Sequence, residues 1–162
     1  MTTWTKENFT FQDLQRIMFR LLERVEIFSG LTQQELMELL EAAEKCTFEA
    51  GESIVREGST GSFLYIIIDG RVSVLKSGKT GRATELAQLD AGDSFGEMSL
   101  VDQEVRSASV VALAPCILLR LSENACWRHL PGSAKIFRNI ARILSHRLRG
   151  MDEAFVLGKR RS

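Results

Sequence analysis

Between Cys46 and Leu121 the chain carries eight of its twelve glycines: Gly51, Gly58, Gly61, Gly70, Gly78, Gly81, Gly92 and Gly96. They cut the stretch into apolar runs too short for a helix of ordinary length. What remains reads as strand: 53–56, 63–68, 71–75, 84–89, 107–113 and 117–121, rich in Val, Ile and Leu. Asp69-Gly70 between the second and third runs predicts a hairpin. Ala91-Gly92-Asp93-Ser94 and Ala114-Pro115 read as turns. Several short strands with regular turns predict an all-β sandwich or small barrel.

The flanks have the other period. Phe11, Leu14, Ile17, Met18, Leu21, Leu22 and Val25 recur at helical spacing and predict a helix within 10–28. Thr32 with Glu35 three residues on forms a capping box for a second helix carrying Leu36, Leu39, Leu40 and Ala43. After Leu121, Ser122 caps a short helix over 123–130, Pro131-Gly132 interrupts, and Ser133 caps a longer one over 134–157. Phe137, Ile140, Leu144, Leu148, Met151 and Phe155 form its apolar stripe. Three regions follow: a helical lead-in at 1–45, a β core at 46–121, and C-terminal helices with a basic tail at 122–162.

With 162 residues, 44% hydrophobic and 26% charged, the chain can build one ordinary core. Net charge is zero, which removes any global pull toward nucleic acid or an anionic membrane. The distribution is uneven: residues 135–162 hold eight Lys/Arg against Asp152 and Glu153, and residues 1–134 carry the opposite excess. A solvated helix face complementing the helix dipole is the simplest account of those basic residues. Cys46, Cys116 and Cys126 are odd in number and widely spaced, as expected of buried thiols in a reducing compartment rather than a metal or disulfide framework. No apolar run reaches the roughly 20 residues of a membrane span, and the first residues do not read as a signal peptide. A cytoplasmic location is expected.

The chemistry concentrates in 95–101, Phe-Gly-Glu-Met-Ser-Leu-Val, and 105–110, Val-Arg-Ser-Ala-Ser-Val. A glycine permits close backbone approach, and a short polar turn presents N–H groups. Arg106 adds a guanidinium suited to a bidentate hold on phosphate. A carboxylate in such a place repels phosphate, but it accepts hydrogen bonds from neutral hydroxyls. One phosphate and one sugar hydroxyl within a single segment describe a nucleotide. For Glu97 and Arg106 taken singly, a structural ion pair is the simpler reading.

Phe-Gly-Glu, eight residues, then Arg-Ser-Ala-Ser-Val resembles the phosphate-binding cassette of cyclic nucleotide-binding domains, the family of catabolite activators and protein kinase A regulatory subunits. Phe28-Ser29-Gly30-Leu31 before a helix and a glycine-punctuated β region is similar to the lead-in of that family. The resemblance covers about 25–155. It implies an eight-stranded jelly-roll β-barrel with flanking helices. It also implies a ligand site at Phe95, Gly96, Glu97, Met98, Ser99, Arg106 and Ser107, with Glu97 on the ribose 2′-hydroxyl, Arg106 on the cyclic phosphate, and backbone N–H groups completing the cradle. Val105 stands where many members have proline, and Ser62 where many have aspartate.

The resulting expectation is a stand-alone, bacterial cyclic nucleotide sensor. Its ligand is a cyclic mononucleotide, cAMP by preference with cGMP open, and it needs no metal or other cofactor. Ligand would move the C-terminal helices, and the output would pass to an effector or to a homodimer through 134–157. No DNA-binding domain and no catalytic role are expected. Two rivals remain: an interaction module whose cassette no longer binds nucleotide, and an enzyme acting on cyclic nucleotides.

Overall fold

The computed structural model describes residues 10–78, 81–102, 104–128 and 130–159, with the side chains of 11, 13, 14 and 153–159 left aside. Among the described residues, eight strands form two four-stranded antiparallel sheets. The strands are β1 (Glu44–Phe48), β2 (Ser53–Val55), β3 (Phe63–Asp69), β4 (Arg71–Ser77), β5 (Ala83–Asp90), β6 (Ser94–Phe95), β7 (Ser109–Ala112) and β8 (Cys116–Ser122). The orders are β1-β8-β3-β6 and β2-β7-β4-β5. Apart from the β4–β5 hairpin, consecutive strands alternate between the sheets, the interleaving of a jelly roll.

That order overturns the hairpin expected at Asp69-Gly70. β3 pairs with β6 and β8, while β4 pairs with β5 and β7. Gly70 (φ +95°) instead turns the chain from one sheet to the other against the β7–β8 connection. A Cβ there would come within 2.5 Å of Pro115 O and 2.7 Å of Cys116 Sγ. The glycine answers a close approach between backbones, a need that a hairpin signal does not reveal.

The helices are α1 (Phe11–Arg24), α2 (Gln33–Leu40), α3 (Met98–Val101), α4 (Glu123–Trp127) and α5 (Leu130–Lys159), with a single 3-10 turn at Glu26–Phe28. The expected capping box is present: Glu35 N–H donates to Thr32 Oγ1 at 3.2 Å, and Thr32 N–H to Glu35 Oε2 at 2.7 Å. Ser122 caps α4 through Ala125 N–H. The break expected at Pro131-Gly132 does not occur, because Pro131 falls in the first turn of α5, where its missing N–H has no intrahelical partner to lose. Nor is Ser133 a cap. It is buried inside α5, and its hydroxyl donates to Cys126 O at 2.5 Å, tying α5 to α4.

Two cores lie on opposite faces of the β1-β8-β3-β6 sheet. Leu64, Ile66, Leu119 and Leu121 point out to the helices, joining Phe28, Leu36, Ile136 and Ile140. Tyr65, Ile67, Cys116 and Leu118 point inward between the sheets, joining Phe48, Val72, Phe95 and Val110. A sheet covered on both faces explains why β3 reads as a continuous apolar run. All three cysteines are buried, and none is in a disulfide. No helix among the described residues is long and apolar enough to cross a membrane.

Candidate functional site

The cassette is the connection from β6 through α3 to β7. Gly96 makes the first bend at φ +82°, and a Cβ on it would meet Arg106 Nη1 at 2.6 Å and Phe63 O at 2.7 Å. No other residue fits there without moving the arginine. Glu97 follows, then α3, whose first-turn N–H groups at Met98 and Ser99 have no acceptor within the helix.

Arg106 is held on both its backbone and its side chain. Its N–H donates to Ser59 O and its carbonyl accepts from Gly58 N–H, each at 2.8 Å. The fixed φ that a proline at 105 would supply is replaced here by this two-way clasp. Its guanidinium donates from Nη1 to Gly96 O (3.1 Å) and Ser99 Oγ (2.5 Å), and from Nη2 to Phe63 O (2.9 Å). It also lies 5.9 Å from the centre of the Tyr65 ring, which stacks in turn on Phe95 at 5.1 Å. Burial pulls its pKa below the ordinary arginine value.

Glu97 is 2% exposed. One oxygen, Oε1, accepts from Arg147 Nη1 of α5, and the same guanidinium donates from Nη2 to Ser94 O at 2.9 Å. The other oxygen, Oε2, is buried without a hydrogen-bond partner among the described residues. Burial raises the carboxyl above the usual carboxylate range, with the Arg147 charge opposing it. A buried acceptor left unmatched costs stability, and such exceptions concentrate at functional positions.

The structure therefore brings Gly96, Glu97, Ser99 and Arg106 together. Phe95 supports the site from below by stacking. Met98 is half exposed, and Ser107 is exposed with its hydroxyl 4.0 Å from Met98 Sδ. Lys76 of β4 donates to Ser107 O at 2.6 Å and pairs with Glu57, fixing the strand after the arginine. Arg147 is the residue that sequence reasoning missed, having been taken for part of a solvated basic face. The signal was present: Arg147 continues the spacing of Ile136, Ile140 and Ile143 on one face of α5.

Chemically, the site offers a guanidinium and helix-start N–H groups for an anion, and a carboxylate oxygen for a neutral donor. Residues 45–130 match the family model of the cyclic nucleotide-binding domain. The chain belongs to the cyclic nucleotide-binding domain family. Within it, the chain is similar to the cyclic AMP receptor protein of Thermus thermophilus, 35% identical over 129 residues, covering 78% of this chain and 58% of that protein. It is also similar to the cAMP-dependent protein kinase regulatory subunit of Schizosaccharomyces pombe, 33% identical over 142 residues, covering 87% of this chain and 32% of that one. The chain thus spans between about a third and three fifths of the length of these curated relatives. A solved cyclic nucleotide-binding domain from Methylobacillus flagellatus superposes with a TM-score of 0.82 over 96% of this chain and 89% of the other; at 22% identity this likeness concerns the fold.

Proposed function

We propose that the chain is a non-catalytic cyclic nucleotide sensor, with cAMP the preferred ligand, cGMP the alternative, and no metal or other cofactor. Arg106 and the N–H groups of Met98 and Ser99 take the cyclic phosphate, and Glu97 takes the ribose 2′-hydroxyl. The observation that carries this reading is the buried Glu97: one oxygen is engaged by α5 and the other awaits a donor beside a guanidinium. The relatives named above are a receptor and a regulatory subunit, which supports a regulatory rather than catalytic role. Because Arg147 sits on α5, a ribose competing for Glu97 changes what that helix gains by staying. Ligand then shifts the population of α5 positions. The output is a homodimer through the far part of α5 or contact with an effector protein in the cytoplasm.

One observation favours the rival interaction module. The Arg106 guanidinium already makes three hydrogen bonds within the chain, and Ser62 stands where many relatives have aspartate.

Calorimetric titration of ligand-stripped protein with cAMP, cGMP and cyclic di-GMP decides between them. We expect cAMP to bind best. Arg106→Ala should weaken it at least about tenfold, the scale of one lost charge-assisted hydrogen bond, with the fold intact. Arg147→Ala should retain binding but abolish any ligand-dependent change in α5 protection by hydrogen exchange. Absence of heat with all three ligands would leave the interaction module standing.

A further inference from the structure

A cavity of ≈ 420 Å³ lies inside the roll, among β1, β2, β3 and β8. Of the proposed nucleotide-binding residues only Arg106 reaches it; Glu97, Ser99 and Ser107 are not in its wall. Its wall mixes apolar and aromatic side chains, Phe48, Ile54, Val55 and Phe63, with the polar Ser53, Tyr65, Arg106 and Arg120. Exposed Arg56, Ser59 and Thr60 form its mouth. The wall carries three arginines, Arg56, Arg106 and Arg120, and no carboxylate among its described residues.

The two inner arginines are fixed against the same strand. Arg120 lies 4.5 Å from the centre of the Phe63 ring and is ion-paired with Glu44, while Arg106 faces the Tyr65 ring. Tyr65 and Arg120 are directly opposite in the β3–β8 ladder, both in the cavity wall. A guanidinium only donates, so beside Arg120 the Tyr65 oxygen can only accept and its own proton is directed elsewhere. The cavity therefore combines arginines, of which Arg120 is paired with Glu44, one phenolic O–H donor, and aromatic and aliphatic side chains.

We propose that this cavity is a second ligand site, adjoining the cassette at Arg106, that takes a small aromatic carboxylate. The carboxylate accepts from Tyr65 and faces the arginines, and the ring packs among Phe48, Ile54 and Phe63. Positive walls favour an anion, and aromatic walls favour a flat apolar body over a bare inorganic ion. The site shares Arg106 with the cassette, while Arg56, Tyr65 and Arg120 belong to the cavity alone, so its occupancy can be tested whether or not the cassette binds nucleotide.

Benzoate is the probe and benzamide its neutral isostere. Calorimetry on the full chain should show benzoate binding and benzamide binding at least about tenfold more weakly, as expected when a charge-assisted bond becomes a neutral one. Tyr65→Phe keeps the ring and should weaken benzoate by about tenfold. Ile54→Trp fills the cavity from its wall and should abolish benzoate binding while cAMP affinity is kept. Should either variant fold poorly, NOEs from benzoate ring protons to Ile54 methyl protons in the wild-type protein give the same answer. Equal binding of benzamide, an unaltered benzoate affinity in Ile54→Trp, or benzoate contacts at Glu97 and Ser99 in place of Ile54 would each overturn the proposal.

Discussion

Glu97 places two demands on one side chain. As a ribose acceptor it must be ionised, yet burial raises its carboxyl above the usual range and Arg147 offsets this only in part. A carboxyl raised on folding contributes stability that is fully present below its unfolded pKa, roughly 4.3, and lost as pH rises through the folded value. Glu97→Gln should therefore gain stability over wild type as pH rises from about 4.3 toward neutrality, with the gap closing in acid. Urea melts at several pH values give the measurement; a gap that widens in acid has the wrong sign. The same substitution should erase discrimination against 2′-deoxy cAMP, which in wild type should bind about tenfold worse for loss of one bond to a charged group. Equal affinity of the two ligands for wild type would remove Glu97 from the sugar.

α5 is the element on which sequence and structure differ most usefully. The stripe expected to form a contact surface divides in two. Ile140 is 1% exposed, and Phe137 and Leu144 are partly covered, so this half packs on the protein's own first core. Beyond Leu144 every described position to Asp152 is exposed, including Leu148 (60%) and Met151 (69%); Phe155 lies outside the described side chains. The buried face is also shifted from the stripe, toward Ile136, Asn139, Ile140 and Ile143. A polar Asn139 at its centre disguised it. A partner surface thus has to be sought at 148–151, since glutamate at Ile140 would strike the core. Leu148→Glu with Met151→Glu should convert a homodimer to a monomer with cAMP affinity and thermal stability kept. Light scattering at high micromolar concentration checks it; a wild-type monomer with and without ligand would remove the dimer from the proposal.

At the scale of the whole molecule, the sheet β1-β8-β3-β6 separates a core shared with the helices from a core shared with the other sheet, and Asn139 fastens the first of these. Its Nδ2 donates to Ile27 O (3.0 Å) and Ser29 O (2.8 Å), joining α5 to the 3-10 turn after α1. Lys135 adds a second tie to Glu35 of α2. Asn139→Ala leaves buried carbonyls unmatched and should cost about 2 kcal/mol in urea unfolding. It should also loosen α5 together with the 26–28 turn in hydrogen exchange; a loss confined to α5 alone would argue against the coupling. The sequence by itself determined what depends on neighbours along the chain: strand and helix periods, the Thr32–Glu35 box, the bend at Gly96, and the spacing that marked Glu97 and Arg106. Tertiary structure decided what depends on residues far apart in sequence. Strand exchange between sheets turned Asp69-Gly70 from a hairpin into a corner. The docking of α5 set Arg147 on Glu97, and the pairing of β3 with β8 set Arg120 opposite Tyr65. Local propensity is a property of a few consecutive residues, whereas each of these contacts joins residues 45 or more positions apart in the chain.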